Sequence, residues 1–147
     1  MPQPSTTRLP RPTSVAILAA IAIIALAGLF GSLASAQTSK RVVKEGHAGG
    51  HTVLTDKAGL TLYSLSVEKH GHFICTGSCV STWIPLLVRP GVKPTGPVSL
   101  GVVKRPDGKR QVTFDGRPLY RFDGDSRKGE ANGEGFKDVG TWHSARP

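Results

Sequence analysis

Two stretches of the chain, Gly59-Leu-Thr-Leu62-Tyr63-Ser-Leu65 and Gly116-Arg-Pro-Leu119-Tyr120-Arg-Phe122, read as one phrase written twice. Each runs glycine, two residues, Leu-Tyr, one residue and a large apolar side chain. Five residues beyond each tyrosine stands an acid, Glu68 and Asp125, and about twenty beyond it a tryptophan, Trp83 and Trp142. A repeated unit that leaves one face unburied covers it most simply with its own copy. The repeat therefore predicts a pseudo-symmetric domain with its tyrosines and tryptophans at the centre, where large rings bury the most surface.

The periodicity around the repeat is that of strands. "HTVLT" and "LTLYSLSV" are β-branched and aliphatic runs joined by "DKAG", which reads as a hairpin. "VSLGVVK", "KRQVTF" and "RPLYRF" follow, separated by "RPDG" and "DG", where Asp-Gly supplies the positive φ angles of tight turns, giving a three-stranded meander. The proline-rich "VRPGVKPTGP" divides the two regions, and the glycine-rich residues 124–135 form a surface loop. Apolar residues keep helical spacing for no more than about two turns, confining helix to a short piece around Val80 to Leu87. The expected fold is all-β: one small domain, residues 51–147, of two pseudo-repeated hairpin or meander units at about 51–88 and 98–147. Residues 37–50, "QTSKRVVKEGHAGG", are polar and glycine-rich and read as a flexible linker.

The first 36 residues read as a signal peptide or an N-terminal membrane anchor. Arg8 and Arg11 precede an uncharged apolar run over residues 15–30, and "GSLASAQ" offers a cleavage point between Ala36 and Gln37. The run is short of the roughly 20 residues that cross a bilayer core, which favours cleavage. Beyond it lie 17 of the 19 Lys and Arg against all ten Asp and Glu. Charge so scattered reads first as a solvated surface; the alternative, for an exported domain, is attraction to an envelope partner such as anionic lipid or cell-wall polymer. Nucleic acid is not an expected partner, since the aromatics do not interleave with the basic residues, and membrane contact is expected only through the N-terminal segment if it is retained.

Cys75 and Cys79 are the only cysteines, and export places them in an oxidising compartment. A disulfide is the leading reading, with Gly77 giving the turn its freedom. The alternative is a copper or thiol-redox carrier in which His70 and His72 join the two thiolates, a donor set that suits copper. Asp123, Asp125 and Glu134 fall at positions 1, 3 and 12 of a calcium-loop count, but Arg127 and Lys128 occupy positions that such a loop gives to an acid or amide and a glycine. No nucleophile elbow, HExxH helix or phosphate-cradling loop is present, so neither an enzyme nor a cofactor is expected. Asp125 reads as a carboxylate that organises its turn, taking hydrogen bonds from loop N–H groups or the Tyr120 hydroxyl.

The run Tyr120-Arg-Phe122-Asp-Gly-Asp125, with "CTGSCVSTWIP", "DGKRQVTFDGRPLY" and "GTWHSARP", resembles small bacterial exported proteins described as predicted lipoproteins with a Yx(F/W/Y)xxD motif, built from a secreted repeat of unknown function. The first copy departs from the motif at Leu65 and Glu68, and the lipid-bearing cysteine is missing. The resemblance implies an envelope location and no assigned activity. The function expected from the whole is an exported binding or structural module of the cell envelope.

Overall fold

The computed structural model describes residues 37–147; the leader reading, including Ala36, lies outside the described residues. The first half comprises β1 (Thr38–Arg41), β2 (Lys44–Ala48), β3 (His51–Thr55), β4 (Leu62–Leu65), the single helical turn α1 (Cys79–Thr82), β5 (Trp83–Pro85), β6 (Leu87–Val88) and β7 (Val92–Thr95). The second half comprises β8 (Leu100–Lys104), β9 (Arg110–Phe114), β10 (Arg117–Pro118), β11 (Tyr120–Phe122) and β12 (Trp142–Ser144). The all-β fold read from the sequence is what forms. Among the described residues no helix is long and apolar enough to cross a membrane.

The Leu-Tyr pair of each copy explains the centre of the molecule. Successive residues of a strand face opposite sides, so Leu62 and Leu119 enter one core while Tyr63 and Tyr120 enter another. Leu62 and Leu119 join Val42, Val43, Leu54, Val112 and Ala145 in an aliphatic cluster. On the other face Tyr63, Leu65, Cys75, Trp83, Tyr120 and Trp142 pack together. Strands β4 and β11 are antiparallel at the middle of the sheet, with Tyr63 directly opposite Tyr120. A strand buried on both faces cannot alternate polar with apolar, which is why "LTLYSL" reads as a near-continuous run.

The flanking strands are exchanged between copies. β5, from the first copy, pairs with β11 of the second, placing Trp83 opposite Phe122. β12, from the second copy, pairs with β4 of the first, placing Trp142 opposite Leu65. The exchange continues through the backbone in matched bonds. Leu54 N–H donates to Ala145 at 2.7 Å, as Val112 N–H does to Leu86 at 2.9 Å. Ser66 N–H donates to Thr141, as Asp123 N–H does to Thr82, both at 2.9 Å.

The repeated glycine is also used across the exchange. Gly59 (φ 90°) and Gly116 (φ 72°) both sit in the left-handed region, where a side chain is strained. A Cβ on Gly59 would lie 2.8 Å from the stem of Lys128, and one on Gly116 would lie 2.6 Å from the His70 ring. Each glycine thus lies under a loop residue of the other copy.

Three sequence expectations are corrected. Order begins at Thr38 instead of near His51: β1 pairs in parallel with β7, and β2 forms a hairpin with β3. Val42 and Val43 between them are 5% and 0% exposed, and full burial of one valine is worth about 1.5–3 kcal/mol, enough to fix a polar segment. The β3–β4 hairpin shrinks to one bridge, Thr55 to Thr61, because β4 is claimed by β11 and β12. The third meander strand breaks at Leu119, leaving β10 on β9 while β11 crosses into the central sheet. Pro118 lacks a ladder donor, which marks the break.

Because each copy's tyrosine strand is closed by the other copy's tryptophan strand, neither half completes the central sheet on its own. Fragments 37–96 and 97–147 should each be unfolded alone and should fold on mixing. Near-ultraviolet circular dichroism of the tryptophans reads this directly. A folded signal from either fragment by itself would refute the interlock.

Candidate functional site

The motif residues converge on the ring-bearing face of the central sheet. The Tyr63 hydroxyl donates to Asp125 Oδ2 at 2.5 Å, and the Tyr120 hydroxyl donates to Glu68 Oε2 at 2.8 Å. Each tyrosine therefore serves the acid of the other copy. This corrects the expectation that Asp125 accepts from Tyr120. The second oxygen of each carboxylate holds its own loop: Glu68 Oε1 accepts the N–H groups of Ile74 and Cys75, both at 2.6 Å, and Asp125 Oδ1 accepts Asn132 N–H at 2.9 Å. Burial, then the adjacent carboxylate, pushes both phenol pKa values far above the ordinary tyrosine range. The phenols stay protonated, each donating to a carboxylate while its oxygen accepts in turn, from Gly133 N–H at Tyr63 and from Arg105 at Tyr120.

Arg105 breaks the symmetry. It is 4% exposed, its guanidinium donates to the Tyr120 hydroxyl at 3.2 Å and to the Cys75 carbonyl at 2.8 Å, and it also binds Gln111 Oε1. Gln111 passes the chain on to the Leu119 carbonyl at 2.7 Å. Phe73 covers the guanidinium, 4.9 Å from the ring centroid, a favourable cation–π contact. No sequence signal singled out Arg105 or Gln111.

Above the two phenols the indoles of Trp83 and Trp142 stack at 3.8 Å with 6° between their planes. Tyr63 meets Trp83 edge-on at 5.5 Å, and Tyr120 meets Trp142 edge-on at 5.1 Å. Phe122 lies 4.6 Å from Trp83, the place that Leu65 fills beside Trp142 in the other copy. The two phenols, the two carboxylates and Arg105 are buried and hydrogen-bonded internally, so these residues build the domain.

Cys75 and Cys79 form the predicted disulfide, with Cα atoms 5.2 Å apart. It closes the loop whose N–H groups Glu68 holds, and a ring this short is worth about 2 kcal/mol in the chain-entropy account. His70 and His72 are both exposed in the turn that His72 N–H closes on the Lys69 carbonyl, with the His70 ring against Gly116. Among the described residues no three His, Cys, Asp or Glu side chains stand close enough to hold a metal ion.

Two further carboxylates, absent from the sequence reading as loop organisers, secure the glycine-rich segment. Glu130 Oε2 accepts the N–H groups of Ser126 and Arg127 at 2.6 and 3.0 Å, which holds its pKa down at about 2. Glu134 Oε2 accepts the N–H and hydroxyl of Ser144, and Oε1 meets His143 Nδ1 at 2.9 Å. Burial raises the Glu134 pKa, but these hydrogen bonds outweigh it and leave the carboxyl below its usual value. Serine and histidine here share one carboxylate from opposite faces of β12, one buried and one exposed, so they do not form a nucleophile and its base. With Glu134 and Asp125 so engaged and Asp123 exposed, the calcium-loop count has no shared centre.

Solvent-facing concavities lie elsewhere, two of them on either side of the short strand β6. A cleft of about 260 Å³ has Val42, Leu86, Val88 and Val92 for its apolar lining and Lys40, Lys57 and Arg89 among its polar residues. Across Leu87–Arg89 a shallower depression of about 530 Å³ is bordered by Pro90, Lys109 and Arg110. Leu87 stands between them, 41% exposed.

Residues 101–146 match the family model described as a secreted repeat of unknown function, a span that runs through β8 to β12 and holds the second copy. The likeness read from the motif is therefore shown there, and the family description supports export of the chain. Comparison with curated proteins and with solved structures gave no match.

Loss of the Tyr63 hydroxyl leaves Oδ2 of the buried Asp125 without its donor, so Tyr63→Phe should cost about 2 kcal/mol in urea denaturation. Tyr120→Phe should cost more, since its hydroxyl also receives Arg105. Equal, near-zero effects would contradict the network.

Glu130 has its folded-state pKa below the ordinary 4.5, so its contribution is full above that pH and is lost as pH falls toward about 2. The thermal midpoint of the parent should fall more steeply through that window than that of Glu130→Gln. Parallel curves would show that the loop does not need the charge.

Proposed function

We propose that the domain is an exported module of the cell envelope that binds or scaffolds and does not catalyse. The observation that carries this reading is the contrast between its two polar populations. The motif carboxylates, phenols and Arg105 are enclosed and satisfied by one another, so they shape the domain. The basic side chains around β6 face solvent, and among the described residues Lys40, Lys57 and Arg89 have no carboxylate within 4.0 Å. A partner of anionic chemistry suits them, an envelope lipid or a cell-wall polymer. The location is the periplasmic or extracellular side, with membrane anchoring through residues 15–30 wherever the leader is retained.

The second reading, a copper or thiol-redox carrier, requires Cys75 and Cys79 reduced and His70 and His72 turned toward them. It predicts stoichiometric copper in the purified protein that is lost in Cys75→Ser.

The test is sedimentation of the protein with an isolated envelope fraction while salt is raised from about 0.1 M to about 1 M, shortening the screening length from about 10 to about 3 Å. Binding should be strong at low salt and released at high salt. Asp125→Asn should lower the melting temperature and leave binding per folded molecule unchanged. Stoichiometric copper, or envelope binding abolished by Asp125→Asn in protein that is still folded, would overturn the proposal.

A further inference from the structure

The face around β6 pairs two chemistries that a purely ionic partner does not require together. Leu87 stands between two concave surfaces of mixed lining, whose apolar parts are Val42, Leu86, Val88 and Val92 on one side and Val88 and Pro90 on the other. Cations stand around those linings: Lys40, Lys57 and Arg89 at the first, Lys109 and Arg110 at the second.

Asp56 lines the first surface and Asp107 the second, and both carboxylates are already committed. Asp56 Oδ1 accepts Leu60 N–H at 3.0 Å and Oδ2 lies 3.7 Å from Arg121. Asp107 lies between Lys109 at 3.6 Å and Arg105 at 3.9 Å. Lys40 and Lys57 crowd one another instead, and the Lys40 ammonium holds the Lys57 pKa below the usual lysine value. Juxtaposed like charges over an apolar floor are relieved by an anion attached to something apolar.

We propose that the Leu87 ridge and its cationic margins form a docking face for the anionic phospholipid surface of a membrane, with Leu87 entering the acyl boundary and Lys40, Lys57 and Arg89 meeting the phosphates. This rests on the envelope-module reading and specifies its partner. A sugar-phosphate or polyphosphate chain would match the cations and leave the exposed leucine and aliphatic lining without a role. An amphiphilic surface matches both, since interfacial binding adds buried apolar area to attraction for anionic heads. Sequence distance agrees with this placement: Lys40 follows Phe30, the last residue of the apolar run, by ten positions. At no more than about 3.6 Å per residue, a chain still held by that run keeps Lys40 within about 36 Å of it.

The test uses residues 37–147, which contain both hydrophobic clusters entire, and vesicles of phosphatidylglycerol and phosphatidylcholine in equal parts against phosphatidylcholine alone. Partitioning is read by flotation, and folding by the near-ultraviolet signal of the stacked tryptophans. The protein should bind the anionic vesicles and not the neutral ones. Each cation at such a surface is worth about fivefold, so Lys40→Glu with Lys57→Glu should weaken partitioning about 25-fold or more. Leu87→Ser changes an exposed side chain, should fold as the parent does, and should weaken partitioning about fivefold.

Binding that is lost on charge reversal but indifferent to Leu87→Ser, and that polyphosphate matches, overturns the lipid assignment and leaves the anionic-partner reading standing. Binding to neither vesicles nor polyphosphate removes both. If the charge-reversed protein fails to fold, the Leu87→Ser comparison decides alone.

Discussion

Two carboxylates sit in the interior of this domain, and the structure is organised around the way their charge is tolerated. An ionised carboxylate taken out of water is expensive unless donors surround it. Here each receives one phenol and one or two backbone N–H groups, bonds that the negative charge strengthens and that water no longer competes for. The phenol always comes from the opposite copy. That single choice fixes the register of β4 on β11, sets Tyr63 across from Tyr120, and draws the tryptophan strands over to the far copy. The indole stack then follows as the contact between the two exchanged strands.

The two copies secure their acidic loops by different chemistry. Around Glu68 the loop is closed covalently by Cys75 and Cys79 and braced by the Arg105 guanidinium under Phe73. Around Asp125 it is rich in glycine, has no cysteine, and is held by the carboxylates of Glu130 and Glu134 accepting backbone N–H groups. One loop thus resists disorder through a bond and a buried cation, the other through charge-assisted hydrogen bonds near the surface. The second arrangement is open to acid and the first to reductant, so the halves of a symmetric frame answer to different conditions.

Much of this was legible in the residues. The duplicated Leu-Tyr phrase announced a doubled β unit with central rings, because alternation across a strand sends leucine and tyrosine to different cores. The disulfide was legible from compartment and spacing. What stayed hidden was pairing. Tyrosine to its own acid and tyrosine to the other acid are the same sequence, and only the closing of the sheet distinguishes them. Strands β1 and β2 were hidden because two valines in a polar stretch carry no period, yet those valines are enclosed once β7 lies alongside. Arg105 is one of many cations, and its burial depends on the positions of Tyr120 and Cys75, which lie 15 and 30 residues away in the chain.

The placement of β12 bears on how such a chain comes into being. Leu54 of β3 donates its amide hydrogen to Ala145, and Leu65 of β4 stands opposite Trp142, so two strands of the first copy are finished by residues of the second copy's last strand and just beyond it. A ribosome delivers those residues after the other strands of both copies. Until they emerge, β4 lacks one of its two neighbours, so the central sheet closes only after synthesis has passed through both copies.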